Sequence, residues 1–242
     1  MKKALLEIFL IIVFVLLTVC YYNNSFGTEV DKVFITLSTF LFALFSGFFI
    51  SRQSGRYGEI RKLTADFDGT MSAIYRAMGH FGDDLQRRSG EIIKNHYEMI
   101  LKKGWDYPFT HKTTTITDLH RLTEEAIKEN GLDGIKNSVV SRNMVGLGDM
   151  QKIRKNMVAL REERIPLFQW LLVYIVAVIL IITVSTLPSI NSLMSSLIKA
   201  AFVSSVLVAV VLLKQLDSLK LFSGAIGENS AKDVVNIIAG KK

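Results

Sequence analysis

One basic side chain lies in an unusual place, because Lys199 falls inside a long apolar run near the carboxyl end of the chain. Ser192, Ser195 and Ser196 precede it at helical spacing. A charge within a membrane segment is costly to bury, so such a residue marks a candidate functional site. Two interpretations stay open. The side chain either extends to the outer membrane interface, or it faces a water-filled path, where its charge would favour anions.

The residue types needed for catalysis or metal binding form no recognised motif. The four histidines, at positions 80, 96, 111 and 120, include no pair at the i, i+4 spacing of a helical metal site. The sequence has no HExxH, Walker A or GxSxG motif. Asp66 and Asp68 lie two positions apart, where a helix would point them in different directions, so we expect both to be solvated. We therefore predict no catalytic residues, no enzyme activity, no metal and no cofactor.

The sequence contains four long apolar segments, and Lys199 lies in the last of them. They are Ala4–Cys20, Val33–Ile50, Pro166–Leu187 and Leu193–Leu213. Each is near the roughly 20 residues that a helix needs to cross a bilayer, and lipid requires helical backbone. The first segment also resembles a secretory signal ending in a lipid-modified Cys20, although Val19 is large for that position. We predict an all-α integral membrane protein with four transmembrane helices in two pairs.

The placement of basic residues predicts the orientation. Lys2 and Lys3 precede the first segment, and further basic residues follow the second, precede the third and follow the fourth. The positive-inside rule then puts both termini and the large insert in the cytoplasm. The predicted domains are a first transmembrane helix pair at 1–50, a cytoplasmic helical domain at 51–165, a second pair at 166–213 and a cytoplasmic tail at 214–242.

The net charge of +7 does not indicate a nucleic-acid partner. The insert at 51–165 holds 20 Lys and Arg against 16 Asp and Glu, and many of its basic groups lie beside the apolar segments. This distribution suits membrane topology and contact with anionic lipids. We therefore predict membrane lipids as partners and no nucleic acid. A single cysteine excludes a disulfide within the chain.

The insert has the apolar periodicity of helices. A stripe at intervals of three and four follows the second segment: Ile60, Leu63, Phe67, Met71, Ile74, Met78 and Phe81. We expect the second transmembrane helix to continue into this stripe. Three more helices are predicted, at 85–101, 116–130 and 135–164. Gly131 suits a helix C-cap and Asp133 an N-cap, while Gly146 and Gly148 are expected to bend or break the last helix.

Several local runs resemble a known family. The run Arg52-Gln-Ser-Gly-Arg-Tyr57-Gly-Glu59-Ile-Arg61 resembles the segment that leaves the second span of bacterial bestrophins. The run from Met71 to Arg76, then Tyr97, Trp105 and Leu160-Arg-Glu-Glu-Arg-Ile-Pro166, resembles the bacterial bestrophin-like family of unknown function. The likeness covers about Ala43–Lys220, including the order of spans and insert.

The resemblance implies a homo-oligomeric ring, typically a pentamer, in a bacterial inner membrane, with ions passing along its central axis. In bestrophins the second span lines this axis with a neck of bulky apolar side chains. Counting back from Arg52 and Tyr57, the neck positions fall here on small residues.

The second span has two candidate faces, roughly opposite each other at 100° per residue. One carries Phe42, Phe45 and Phe49, which are candidates for a pore gate. The other carries Ala43, Gly47 and Ser51, here called the small row, which suits close helix packing or forms an alternative pore face. The phenylalanines could equally face lipid or neighbouring helices.

Two functions remain open from the sequence. The first is an oligomeric ion channel that selects anions, with the second span along its axis. The second is a membrane-anchored interaction or sensory module that does not conduct.

Overall fold

The computed structural model describes residues 2–23, 32–131, 133–187, 193–219 and 228–240. The helices are α1 (Lys2–Asn23), α2 (Lys32–Met78), α3 (Asp83–Lys103), α4 (Tyr107–Thr110), α5 (Thr115–Asn130), α6 (Ile135–Glu162), α7 (Leu167–Thr186), α8 (Leu193–Asp217) and α9 (Glu228–Ile238), with a 3₁₀ turn at Gly79–Phe81. No strand occurs in these ranges. The connections between the predicted first and second spans, and between the third and fourth, lie largely outside them.

The chain divides into two compact units. The first contains Met1–Gly55 and Arg164–Leu221, and the second contains Arg56–Glu163 and Phe222–Lys242. Helix α2 is continuous and contributes residues to both units. The prediction that the helix of the second span continues into the insert is therefore confirmed.

Three helices in the described part of the chain are long and apolar enough to cross a membrane: α2, α7 and α8. The predicted first span, Ala4–Cys20, lies within α1, a helix of 22 residues. The all-helical membrane fold is thus confirmed. The four-span arrangement with a cytoplasmic insert stays a prediction.

The first unit is held together by apolar packing among its helices. Buried residues of α7 and α8 form one cluster with Tyr21 and Phe42: Val176, Ala177, Leu180, Val184, Ala200, Val203 and Val206. Large apolar side chains on the opposite sides of these helices, such as Phe168 and Ile198, remain exposed. Because lipid gives no hydrophobic drive for helices to associate, close packing has to supply the stability.

The second unit has a core of the kind found in water-soluble domains. Six residues of the predicted stripe are buried in this unit: Ile60, Phe67, Met71, Ile74, Met78 and Phe81. Leu63 is only partly buried. Fully burying one such side chain contributes about 1.5–3 kcal/mol, so the stripe is a principal source of this unit's stability.

Sequence reasoning about the helix ends was partly wrong. Gly131 ends α5 as predicted, with φ of 67° and its N–H donating to the Ile127 carbonyl. The N-cap of α6 is Gly134, without a side-chain cap, and not Asp133. Helix α6 also continues through Gly146 and Gly148 without a break. At Gly146 an added Cβ would lie 3.1 Å from Thr70 Cγ2, so this glycine permits close packing of α2 against α6.

Helix α9 was not predicted, and it docks on the second unit. Ala231 and Val234 are buried in the core of that unit. Gly90 on α3 makes room for the end of α9, because a Cβ added there would lie 3.1 Å from Ile238 Cγ2 and 3.1 Å from Tyr75 Cε2. Helix α9 is thus a packed part of the second unit.

We predict that Gly90→Val loosens α9 selectively. Overpacking a filled contact costs about 1–3 kcal/mol, and the short terminal helix yields more easily than α3. Amide hydrogen exchange across residues 228–238 should become faster in this variant. Gly148→Val is the matched control, since a Cβ at Gly148 meets nothing within 4 Å. Equal protection of α9 in both variants would contradict the prediction.

Candidate functional site

The phenylalanine face of α2 points into its own chain. Phe42 packs in the cluster formed with α7 and α8, and Phe49 packs against Ile165, Val173 and Leu213. Phe45 is partly buried against both clusters. The three gate candidates are therefore covered, wholly or in part, by helices of the same unit.

The small row lies on the opposite, exposed side of α2. Ala43, Gly47 and Ser51 are all exposed. Beside them runs a row of large exposed side chains, Phe40, Leu44 and Phe48, here called the bulky row, with Phe40 and Phe48 59% and 60% exposed. Sequence reasoning missed the bulky row because α2 is apolar on every side within the span. Periodicity alone cannot show which side is covered there.

Lys199 is buried within the first unit, with only 7% of its surface exposed. Its Nζ donates a hydrogen bond of 2.5 Å to the backbone carbonyl of Leu187, the C-cap residue of α7. It also lies 5.9 Å from the centroid of the Tyr21 ring, and the Tyr21 hydroxyl is 2.7 Å from Ser185 Oγ. Ser196 is buried, and Ser192 lies outside the described residues. The ammonium thus sits at the negative end of the α7 dipole.

Asp217 lies at the N-terminal end of α7, opposite the end that Lys199 contacts. It is buried, and its Oδ1 accepts hydrogen bonds from the Ile165 N–H at 2.8 Å and from Gln53 Nε2 at 3.4 Å. Ile165 lies just before Pro166, the N-cap of α7. A carboxylate is favoured there, because the N-terminal end of a helix carries partial positive charge. The contact also connects α2, α7 and α8.

Arg56 performs the corresponding role in the second unit. Its Nε and Nη2 donate to the carbonyls of Leu160 and Arg161, at 2.6 and 3.0 Å. These carbonyls belong to the last turn of α6, which leaves its final C=O groups without helical partners. Arg56 falls inside the run that resembles bestrophins. No sequence pattern indicates its acceptors, since they lie 104 and 105 positions away.

A buried carboxylate lies in the second unit, contrary to the expectation that Asp68 is solvated. Its Oδ1 accepts from the Tyr97 hydroxyl at 2.6 Å, and its Oδ2 accepts from the Ser230 hydroxyl. Burial raises the pKa of Asp68, although these two hydrogen bonds oppose the shift. Burial and the nearby carboxylate raise the pKa of Tyr97. Asp66 is exposed, as expected.

His96 lies in an aromatic part of the same core. It is 2% exposed, and its Nδ1 is 3.1 Å from Thr115 Oγ1. The ring centroids of Phe67 and Tyr97 lie 5.6 and 5.3 Å away. Its Nε2 has no hydrogen-bond partner within the described ranges. Burial lowers the pKa of His96 to about 4, so the ring is neutral near pH 7. Across those ranges no three His, Cys, Asp or Glu side chains are grouped to hold a metal.

We predict that Lys199→Met destabilises the first unit. The substitution keeps the length of the side chain but leaves the Leu187 carbonyl without its donor, which costs about 1–3 kcal/mol. Thermal unfolding in detergent measures the loss. Lys214→Met, an exposed change on the same helix, should stay within about 0.5 kcal/mol of the native chain. Equal stability of the two variants would contradict a capping role for Lys199.

We also predict a loss of stability on acidification that depends on His96. Its folded-state pKa of about 4 is below the ordinary value of 6.5, so its stabilising effect is present above pH 6.5 and is lost as pH falls towards 4. This shift corresponds to about 3 kcal/mol at most. The raised pKa of Asp68 acts in the opposite sense. The measurement is therefore the free energy of unfolding of the native chain minus that of His96→Asn, taken at each pH. A difference that stays constant between pH 7 and 4 would refute the prediction.

Comparison with known proteins identifies the family. The model of the bestrophin-like domain matches residues 4–227. Two crystal structures, each described as a membrane protein, align with TM-scores of 0.73 and 0.63 at 12% and 16% identity. The alignments cover 96% and 97% of this chain, and 97% and 98% of the other chains. A bacterial bestrophin homolog from Klebsiella pneumoniae aligns with a TM-score of 0.62 at 12% identity, covering 97% of this chain and 99% of that one.

No curated protein matches the chain significantly. At such identities the structural alignments establish a common fold, while the domain match extends over nearly the whole sequence. The chain is a membrane protein that belongs to the bestrophin-like family.

Proposed function

We propose that this chain is the subunit of a homo-oligomeric anion channel whose axis is lined by helix α2. Membership of the bestrophin-like family supports a channel. The observation that carries the proposal is the side of α2 that its own chain leaves uncovered. This side consists of the small row and the bulky row.

The proposed pore face is the bulky row, not the phenylalanines chosen from the sequence. Phe42 and Phe49 are covered by their own chain, and a covered side chain cannot also line a water path. Phe40, Leu44 and Phe48 recur every four positions, so a ring of α2 helices would stack them as hydrophobic constrictions. Such constrictions gate ion flow by losing and regaining water. The small row would then face the neighbouring subunit.

The orientation and the assembly belong to the same proposal. The distribution of Lys and Arg supports cytoplasmic termini and a cytoplasmic domain at 51–165 between the two membrane pairs. The resemblance to bestrophins supports a pentamer in the bacterial inner membrane, in contact with lipids. Lys199 has no pore role in this scheme, because its ammonium is bound to the end of α7.

We predict that the purified oligomer carries anion current in planar bilayers. A tenfold chloride gradient should move the reversal potential towards the chloride limit of about 59 mV. Phe48→Ala should raise the unitary conductance several-fold, because it widens the constriction. Phe168→Ala, at a phenylalanine of α7 that is 69% exposed, is the matched control and should leave conductance unchanged.

Other outcomes separate the alternatives. An oligomer of confirmed mass that passes no current across salt gradients and pH would favour the membrane-anchored interaction module. Current that is unaffected by Phe48→Ala would exclude the bulky row from the path. A shift of the reversal potential in Lys199→Met would show that Lys199 faces the ion path.

A further inference from the structure

A cleft in the second unit lies between α2 and α6. Its volume is about 490 Å³, and small residues line its middle: Gly69 and Ala73 of α2 and Gly146 of α6. A Cβ added at Gly69 would meet nothing within 4 Å, so the space beside it is open. Val145 lines the same cleft and is 63% exposed. A concave, largely apolar surface with a few polar groups is the usual form of a small-molecule site.

The directions of the two helices order the groups along this cleft. Arg56 of α2 donates to the carbonyls of Leu160 and Arg161 near the end of α6. Further along α2, Thr70 Cγ2 lies 3.1 Å from a Cβ added at Gly146 of α6. Higher residue numbers on α2 therefore meet lower numbers on α6. The two helices run antiparallel, so each end of the cleft holds a defined set of side chains.

One end of the cleft has a positive charge and a buried hydrogen-bond donor. Arg142 and Asn143, which precede Gly146 on α6, both line it. Asn143 is only 2% exposed, and its Nδ2 has no hydrogen-bond partner in the part of the chain that the structure describes. Buried amides are nearly always paired, so this group indicates an acceptor from outside the chain. A carboxylate accepts from an amide N–H and also pairs with a guanidinium.

The other end of the cleft has negative charge. Asp66 of α2 and Asp149 of α6 line it there, on the far side of the small residues from Arg142. Asp149 pairs with Lys152 at 3.1 Å. Asp66 makes no ion pair within the described ranges, and its side chain is exposed. Asp66 is therefore the carboxylate that is available to bind a cation.

The separation of the charged ends determines the length of a ligand that bridges them. Asp66 lies four positions before Thr70, and Arg142 lies four positions before Gly146. Because the helices are antiparallel, these steps add up to roughly 12 Å at 1.5 Å per residue. A single amino acid is too short to reach both ends. An extended peptide advances about 3.3 Å per residue, so three residues with free termini span roughly 10 Å.

We propose that this cleft binds an elongated zwitterion of about the length of a tripeptide. The carboxylate of the ligand lies against Arg142 and Asn143, and its ammonium lies against Asp66. The small residues between the two ends leave room for the body of the ligand. The site belongs to the second unit alone and does not depend on ion conduction.

Calorimetric titration of the full chain in detergent with trialanine tests the proposal. We expect saturable binding at one site per chain. Arg142→Gln and Asp66→Asn should each weaken binding roughly tenfold or more, because each removes a charged partner of the ligand. Both residues are exposed, so the fold is retained. Arg121→Gln, an exposed change on α5 outside the cleft, is the matched control and should bind trialanine as the native chain does.

Gly69→Leu gives a second readout, because it fills the middle of the cleft and leaves both charged ends in place. The leucine favours the helix itself, so the fold is retained while trialanine binding is lost. Gly148→Leu is the matched control, at a helical glycine outside this cleft with no atom within 4 Å of an added Cβ. Thermal unfolding of both variants checks that each is folded.

Several results would overturn the proposal. A native chain that binds no trialanine would do so, as would equal binding of alanine, which cannot reach both ends. Equal binding of acetyl-trialanine amide, which has neither terminal charge, would show that the charged ends do not recognise the ligand. Binding that survives both Arg142→Gln and Asp66→Asn would place the peptide elsewhere. Absence of binding together with a changed oligomeric mass in Gly69→Leu would assign the cleft to a protein contact instead.

Discussion

Helix α7 meets a charged side chain of α8 near each of its ends, and the geometry of the first unit depends on this pairing. Asp217 accepts from the Ile165 N–H before α7, and Lys199 donates to the Leu187 carbonyl after it. Each charge has the sign that complements the helix dipole. The two lie 18 residues apart, about 27 Å along α8 and close to the thickness of a hydrocarbon core. Sliding α8 by one turn would leave two buried charges unpaired, so its register is fixed.

The same carboxylate also contacts α2 on its covered side. Gln53 donates to Asp217 and is buried, and it lies on the same side of α2 as Phe42 and Phe49. A polar contact in an otherwise apolar surrounding is more specific than apolar packing, which tolerates rotation. Gln53 and the phenylalanines are thus covered together, and the small and bulky rows are left outward. The contact with Asp217 and the apolar clusters therefore favour the same rotation of α2.

Sequence reasoning predicted the features in which apolar residues alternate with charged ones or are bounded by them. The apolar segments and the stripe from Ile60 to Phe81 were recognised because charged residues alternate with apolar ones or bound them. Inside the membrane that contrast disappears, so neither the covered side of α2 nor the bulky row could be read from it. Asp68 was misjudged because its partners, Tyr97 and Ser230, lie 29 and 162 positions away. The acceptor of Lys199 is a backbone carbonyl, which no sequence pattern reveals.

Exposed residues of α2 differ in cost inside and outside its apolar segment. Phe40 and Phe48 can face lipid without a penalty, since lipid tails are as apolar as they are. Their exposure alone therefore requires no partner. Gly58 lies in the second unit, where an uncovered glycine leaves helical backbone open to water and weakens the helix. A partner there gains from burying apolar surface away from water, as lipid-facing helices do not. In the proposed oligomer, the drive for subunits to associate is accordingly expected from the second unit.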